Sequence, residues 1–265
     1  MLFILKKILT LSCLLISSMV FSEEWKIFPG VSAQDDIQSA MILAQEGDTI
    51  FLSEGTYTLN HGLSLDVDNI TLKGEGHKKT ILNFSDQKTG AQGLLVTSDN
   101  VILKDFAVEN AKGDAIKSKG SKNIKFLNLR TEWTNGPDTT NGAYGLYPVE
   151  SEDVLIDGCI AIGASDAGVY VGQSENIIVR NTEAYFNVAG IEIENSYYAD
   201  VYNNISENNT AGILVFDLPD LPKQGGKFVR VFNNISSNNN TENFAPEGNI
   251  VGQVPKGTGL VIRAN

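Results

Sequence analysis

Three copies of one short phrase decide the fold: GVYV at residues 168–171, GIEI at 190–193 and GILV at 212–215, spaced 22 residues apart. Related phrases occur earlier as GLLV at 93–96 and later as GLVI at 259–262. Each copy alternates apolar residues with other residues, which is the pattern of a strand with one buried face. A fixed period near 22 with short strands is typical of a solenoid, because each unit buries its apolar side chains against the next one.

A second phrase runs in parallel with the first and begins with Asn or Asp, as in NITL at 69–72 and NIIV at 176–179. These residues are favoured in turns. Leucine-rich repeats share the period but need a leucine-rich consensus, which this sequence lacks. Asn-rich segments such as YNNISENN at 202–209 instead indicate amides stacked from coil to coil. The sequence therefore predicts an all-β fold, a single-stranded right-handed parallel β-helix of about seven or eight coils.

A capping helix is predicted within the N-terminal segment 23–47. Ser32 is the expected N-cap, with Asp35 in the first turn. The apolar residues that follow at helical spacing form one stripe: Ile37, Ala40, Met41 and Ala44. This helix is expected to cover the open N-terminal end of the solenoid and its edge strands. The solenoid is predicted over 48–265 and is expected to continue beyond that, because no capping segment follows the last phrase.

Residues 1–22 have the composition of a secretory signal peptide. Lys6 and Lys7 precede an apolar run, and the small Ser22 suits cleavage at that point. The run is too short for a membrane span. Cys13 leaves lipid attachment as an alternative. We therefore expect an exported protein without a membrane span, located in the periplasm, at the cell surface or in the medium.

Composition narrows the classes of ligand. Without Lys6 and Lys7, 18 basic residues stand against 32 acidic ones, a net charge of −14. This balance argues against nucleic acid and makes a polyanionic ligand less favourable. Cys159 is the only cysteine after the predicted signal peptide, so no intrachain disulfide is expected. Two histidines in the whole chain leave little scope for a histidine-based metal centre or triad.

The segments EGDTIFLSEGTYTL at 46–59 and NITLKGEG at 69–76, together with the 22-residue coils, resemble the pectate-lyase-like right-handed β-helix superfamily. The block at 166–196 is similar to exported bacterial parallel β-helix repeat proteins. The resemblance implies the β-helix fold and export and leaves the function open. Superfamily relatives include polysaccharide lyases, polygalacturonases and mannuronan epimerases. The epimerases carry Tyr-Gly-x-Asp-Pro-His followed by an acid. Here Tyr147 stands in place of the Asp and Val149 in place of the His, so that acid–base pair is missing.

The strand phrases also predict an outward strip along one face of the solenoid, because side chains alternate between inside and outside. The strip consists of Lys117, Lys119, Tyr147, Tyr170, Glu192 and Glu194. Trp133 and Asp138 are expected to border it. The residues expected to bind substrate are Trp133, Tyr144, Glu150, Glu192 and Glu194. Aromatic rings beside charged groups suit a sugar chain. Ladder pairing between neighbouring strands would also produce such columns.

Three functions are compatible with this strip. The first is an exported carbohydrate-associated protein that binds a glycan along one solenoid face. The second is a polysaccharide lyase or C5-epimerase-like enzyme, which needs a base, an acid and neutralisation of a uronate. Its catalytic candidates are Lys117, Lys119, Tyr147, Tyr170 and Asp166, with Glu192 as an alternative to Asp166. The third is a non-catalytic solenoid that docks a protein partner.

Two long insertions interrupt the coils, at 217–226 and 239–257. Long loops in a compact fold are often functional. The first insertion contains Asp217 and Asp220, which are predicted to lie near the two glutamates of the outward strip. Four such carboxylates would suit Ca²⁺. Calcium is therefore the one candidate cofactor that the sequence raises.

Overall fold

The computed structural model describes residues 22–263, so the predicted signal peptide lies outside the described residues except for Ser22. The strands, numbered in chain order, form three parallel sheets. Sheet A contains β1 (Glu24–Ile27), β2 (Thr49–Leu52), β5 (Thr71–Lys73), β8 (Ile102–Lys104), β11 (Lys122–Leu127), β14 (Glu152–Asp157), β17 (Glu175–Arg180), β20 (Tyr197–Tyr202) and β23 (Lys227–Phe232). Sheet B contains β3 (Gly55–Thr58), β6 (Thr80–Asn83), β9 (Ala107–Glu109), β12 (Arg130–Glu132), β15 (Ile160–Ile162), β18 (Glu183–Tyr185), β21 (Ile205–Glu207) and β24 (Ile235–Ser237). Sheet C contains β4 (His61–Leu65), β7 (Thr89–Val96), β10 (Asp114–Lys119), β13 (Tyr144–Val149), β16 (Ala167–Gly172), β19 (Ala189–Glu194), β22 (Ala211–Phe216) and β25 (Thr258–Arg263).

The chain visits sheets A, B and C in turn, so the triplets from β2–β4 to β23–β25 make eight coils. Every strand pairs in parallel with the equivalent strand of the next coil, as between β16 and β19. The repeated phrase forms the strands of sheet C. The all-β parallel β-helix predicted from the 22-residue period is confirmed.

One α-helix, α1 (Ala33–Leu43), packs against the first strands at the N-terminal end of the solenoid. Its predicted stripe is buried, with Ile37 and Met41 almost fully enclosed. Ser32 is the N-cap residue and Asp35 lies in the first turn, as predicted, but the Ser32 side chain makes no cap hydrogen bond. Its hydroxyl instead donates to Oδ2 of Asp36 at 2.7 Å. The helix therefore caps the solenoid through apolar burial rather than through a serine cap.

A buried ladder of asparagines runs through the interior of the last coils, as the Asn-rich segments indicate. Oδ1 of Asn209 accepts hydrogen bonds from the backbone N–H and from Nδ2 of Asn187, at 2.9 and 3.0 Å. Oδ1 of Asn239 accepts the equivalent bond from the backbone N–H of Asn209 at 3.0 Å. A Cβ at Gly190 would lie 2.0 Å from Oγ of Ser206 and 3.0 Å from Nδ2 of Asn209. The glycines that open the three repeated phrases, Gly168, Gly190 and Gly212, thus leave room for this ladder.

The insertion at 239–257 crosses the outer face of sheet C. It contains a short 3₁₀-helix (Ile250–Gln253), and Val251 is buried against that face. The contact forms an apolar cluster, separate from the solenoid core, that includes Tyr170 and Leu214 of the sheet. The insertion at 217–226 is fixed beside the same sheet, because Nδ2 of Asn195 donates to the carbonyl of Leu218 at 2.9 Å. Two insertions therefore shape one face of the solenoid.

Cys159 lies in the solenoid core and is a free thiol among residues 22–263. Burial raises the pKa of its thiol to about 12, so it behaves as a small apolar residue. Among residues 22–263, no helix has the length and apolar character needed to cross a membrane.

Candidate functional site

The outward strip has the register that the sequence predicts. Lys117 pairs with Tyr147 across β10 and β13, although a long loop separates them in the chain. Tyr170 pairs with Glu192 across β16 and β19, and Gly172 pairs with Glu194 two residues further along. These residues therefore stand side by side on the outer face of sheet C.

Three tyrosines form the centre of this face. The ring centroids of Tyr144, Tyr147 and Tyr170 lie 4.5 to 4.9 Å apart. Burial raises the pKa of Tyr147 to about 12 and also raises the pKa values of Tyr144 and Tyr170. All three hydroxyls therefore remain protonated near neutral pH and act as hydrogen-bond donors.

The Tyr170 ring lies over a glycine. A Cβ on Gly172 would be 2.5 Å from Cε1 and from the hydroxyl oxygen of Tyr170. In this position the Tyr170 hydroxyl donates to Oε2 of Glu194 at 2.8 Å. Gly172 thus permits the ring orientation that joins the tyrosine cluster to an acidic group.

Three carboxyl groups meet beside the tyrosines. Asp166 precedes β16 and accepts a hydrogen bond from the Tyr144 hydroxyl at 3.4 Å. Glu192 is only 2% exposed, and its Oε1 has no hydrogen-bond partner among residues 22–263. Burial raises the pKa of Asp166 to about 7, and it raises the pKa values of Glu192 and Glu194 as well. The site therefore holds carboxyl groups that keep protons near neutral pH.

The ammonium group of Lys117 interacts with two neighbouring side chains. Its Nζ lies 3.7 Å from Oδ2 of Asp114 and 4.3 Å from the centroid of the Tyr147 ring. Burial raises the pKa of Asp114, although the ammonium of Lys117 opposes this effect. Because the ammonium group of Lys117 contacts the Asp114 carboxyl group and the Tyr147 ring, Lys117 is not positioned as a free base.

The remaining predicted residues lie away from the pocket. Lys119 and Glu150 form an exposed ion pair of 3.9 Å at the end of β13. The expectation that Trp133 borders the strip is wrong. Its side chain is 4% exposed and packs in the solenoid core, where Nε1 donates to the carbonyl of Ala111 at 2.7 Å. The indole N–H thus finds its partner inside the protein.

Tyr144 and the three acids open into a pocket of about 650 Å³. Tyr144, Asp166, Glu192 and Glu194 form its floor, and the insertion at 239–257 forms its cover. The remaining lining residues include Leu214, Phe216, Asp217, Asn249, Val251, Val254 and Arg263. We name it the sheet C pocket.

Sequence reasoning did not identify the cover of this pocket. Nδ2 of Asn249 lies 3.5 Å from Oδ2 of Asp166, although 83 residues separate them in the chain. The length of the insertion was the only signal that pointed to it. Asp114 was also missed, because its role depends on the neighbouring Lys117.

The described residues do not bring together all four carboxylates that were predicted to bind calcium. Asp217 lines the sheet C pocket, whereas Asp220 does not. In the part of the chain that the structure describes, no group of three or more His, Cys, Asp or Glu residues is arranged to hold a metal ion.

Comparisons with known proteins identify phage appendages and polysaccharide lyases as relatives in sequence or fold. The preneck appendage protein of Bacillus phage PZA is 24% identical over 229 residues, which cover 73% of this chain and 27% of the relative. The crystal structure of pre-mature bacteriophage phi29 gene product 12 has a TM-score of 0.63 at 18% identity and covers 82% of this chain. This chain spans 34% of that structure, about a third of its length.

An alginate lyase from Paenibacillus sp. str. FPU-7 has a TM-score of 0.51 at 15% identity, covering 80% of this chain and 95% of the lyase chain. At such identities the likeness to solved structures shows the fold alone. The family model described as the right handed beta helix region matches residues 68–220. Because this match covers more than half of the sequence and agrees with the three parallel sheets, the chain belongs to the right-handed β-helix family.

Proposed function

We propose that this protein is an exported carbohydrate-associated β-helix protein that binds a glycan in the sheet C pocket. The observation that carries the proposal is the pocket itself, in which the Tyr144 hydroxyl and the carboxyl groups of Asp166 and Glu192 converge. Sugars offer hydroxyl groups for such polar partners and C–H faces for aromatic and aliphatic walls. The proposed export rests on the sequence of residues 1–22.

The proposal concerns binding rather than catalysis. A lyase or C5-epimerase needs a base and a cation that neutralises the uronate carboxylate. Lys117 is paired with Asp114, and Lys119 is paired with Glu150 outside the pocket. The arrangement therefore supports recognition of a sugar better than proton abstraction from it.

The test is proton NMR of the protein with a panel of neutral, amino and acidic oligosaccharides. We expect line broadening of at least one sugar, without new sugar signals. Gly172→Ala would push the Tyr170 ring away from Glu194, because overpacking at this distance forces a side chain to move. We expect this variant to weaken binding by about tenfold or more.

Gly30→Ala is the matched control, because a Cβ at Gly30 meets nothing within 4 Å. It should bind like the wild type. Equal binding by wild type, Gly172→Ala and Gly30→Ala would contradict the assignment to this pocket. New unsaturated sugar signals would show an enzyme instead of a binding protein.

The outer face of sheet A favours a second candidate function, docking of a protein partner. Tyr198 and Phe228 adopt left-handed backbone angles, with φ of 56° and 61°. The equivalent position of the three preceding coils holds Asn123, Asp153 and Asn176, which tolerate this conformation. For a bulky residue it costs about 1–2 kcal/mol.

Burial does not offset this cost, because Tyr198 is 52% and Phe228 65% exposed. Their rings stack on each other with centroids 5.0 Å apart. Arg230 lies beside them on the same face and makes two hydrogen bonds of 2.6 Å to the carboxylate of Asp200. Exposed aromatic residues with arginine are typical of the centres of protein interfaces. We propose that a protein partner binds this aromatic patch.

The double variant Tyr198→Asn with Phe228→Asn restores the residue type of earlier coils. We expect it to increase the free energy of unfolding by about 1–2 kcal/mol, because two left-handed costs outweigh one stacked pair. Urea denaturation measures the change. The matched control is Tyr202→Asn with Phe232→Asn, which removes a similar stack of 5.0 Å where neither residue has a positive φ. It should destabilise the protein by about 1 kcal/mol, and equal destabilisation of both double variants would contradict the argument.

A further inference from the structure

The Glu192 carboxyl group is the least satisfied polar group of the sheet C pocket. It is 98% enclosed by the fold, since only 2% of the residue is exposed, and it lines the pocket. Its Oε1 accepts no hydrogen bond from residues 22–263. A buried oxygen without a partner costs about 1–3 kcal/mol. Such an oxygen marks a position at which a ligand can place a donor.

The other charged groups of the lining give the pocket an acidic character. Asp166 and Glu194 raise the cost of ionising Glu192, and Asp217 faces the same space from the neighbouring insertion. Arg263, on the last strand of sheet C, is the single basic residue in the described lining. The insertion at 239–257 contributes the neutral side chain of Asn249 from above. Tyr144 presents a hydroxyl group rather than a charge.

This distribution discriminates among classes of sugar. A uronate would bring a negative charge into a desolvated acidic cluster, where it would disfavour ionisation of the three buried acids still further. A neutral sugar would supply hydroxyl donors without compensating the acids. An ammonium group would supply three donors together with a positive charge.

We propose that the sheet C pocket selects a glycan with free amino groups, a hexosamine whose ammonium lies beside Glu192. This inference rests on the proposed glycan-binding function and specifies its ligand class. Because a cation favours the ionised carboxyl groups, binding releases protons from the acid cluster. Proton release distinguishes an ammonium in the cluster from attraction to the acidic surface of the protein.

The experiment compares three oligosaccharides of equal length: a glucosamine oligomer, the matched N-acetylglucosamine oligomer and an oligogalacturonate. Isothermal titration calorimetry at pH 6.5 or so, in two buffers of different ionisation enthalpy, reports affinity and proton release together. We expect the glucosamine oligomer to bind about tenfold or more tightly than its N-acetylated counterpart. The oligogalacturonate should bind most weakly.

Glu192→Gln tests the assignment to this residue. The variant keeps the shape of the side chain but removes the carboxyl group, so it should reduce both the amino-sugar preference and the proton release. Its circular dichroism spectrum should match that of the wild type, which shows that the fold is intact. An unchanged preference in Glu192→Gln would overturn the assignment.

The three oligosaccharides distinguish failure of the amino-sugar preference from failure of glycan binding itself. Equal or tighter binding of the N-acetylated oligomer or the oligogalacturonate would overturn the amino-sugar inference and leave glycan binding in place. If none of the three sugars binds, and no oligosaccharide of the NMR panel shows line broadening, the proposed glycan-binding function is wrong as well.

Discussion

Replacing Asn209 with alanine is expected to lower the free energy of unfolding by about 3–5 kcal/mol. The Asn209 side chain accepts hydrogen bonds from the backbone N–H and from Nδ2 of Asn187, at 2.9 and 3.0 Å. It also donates to the carbonyl of Ala184 at 2.9 Å. Asn187 and Asn209 are fully buried. The substitution therefore leaves the backbone N–H of Asn187 without its acceptor and removes a donor from the Ala184 carbonyl, while Nδ2 of Asn187 keeps only its bond to the Ala161 carbonyl. Each group orphaned in the interior costs about 1–3 kcal/mol.

Urea denaturation of Asn209→Ala beside Asn240→Ala checks this expectation. Asn240 is an exposed asparagine next to the ladder residue Asn239, so its replacement should change the free energy of unfolding by no more than about 0.5 kcal/mol. A loss below about 1 kcal/mol in Asn209→Ala would mean that the ladder is not a major source of stability. Any difference in stability between the two variants would then reflect the size of the side chain that is removed, rather than its hydrogen bonds.

The sequence predicted the fold well because two periods reinforce each other. The alternation of residues within each strand assigns side chains to the inside or the outside, and the spacing of 22 residues brings equivalent positions together. These rules placed Tyr170 opposite Glu192, which the strand register confirms. They also placed Lys117 opposite Tyr147 across a longer connection.

The same rules could not predict the positions of side chains that lie outside the repeated strand phrases. Trp133 follows a sheet B strand directly and turns into the core, because its indole N–H reaches the carbonyl of Ala111. Asn249 reaches Asp166 from an insertion whose path depends on tertiary contacts. The pKa values of Asp166 and Glu192 depend on burial under that insertion. Neither the cover nor its electrostatic effect has a local sequence signal.

Asp166 provides the second large effect, a dependence of stability on pH. Burial raises the pKa of Asp166 in the folded protein from 3.8 to about 7. Below pH 3.8 Asp166 is protonated in both the folded and the unfolded chain, so it does not reduce the free energy of unfolding. As the pH rises toward 7, the unfolded chain releases the proton while the folded protein keeps it. The wild type therefore loses stability through this window, and the loss is complete above pH 7.

Asp166→Asn removes the titrating group and keeps an oxygen that accepts the hydrogen bond from Tyr144. Each pKa unit corresponds to about 1.4 kcal/mol. The neighbouring carboxylates of Glu194 and Asp114 contribute part of the rise in the pKa of Asp166. We therefore expect the variant to be more stable than the wild type by about 2–4 kcal/mol at pH 8, with little difference near pH 3.5. Urea denaturation at several pH values measures this difference directly.

Asp138→Asn is the matched control, because Asp138 is an exposed aspartate whose pKa is lowered by its hydrogen bonds to Thr140. Its folded pKa lies below the unfolded value, so its replacement should give no gain of stability at pH 8. If Asp166→Asn followed the wild-type pH profile, Asp166 would have to be solvated in the folded protein. The acidic cluster would then lack the desolvation on which selection of an amino sugar depends, so one set of denaturation curves bears on both the stability and the ligand of the sheet C pocket.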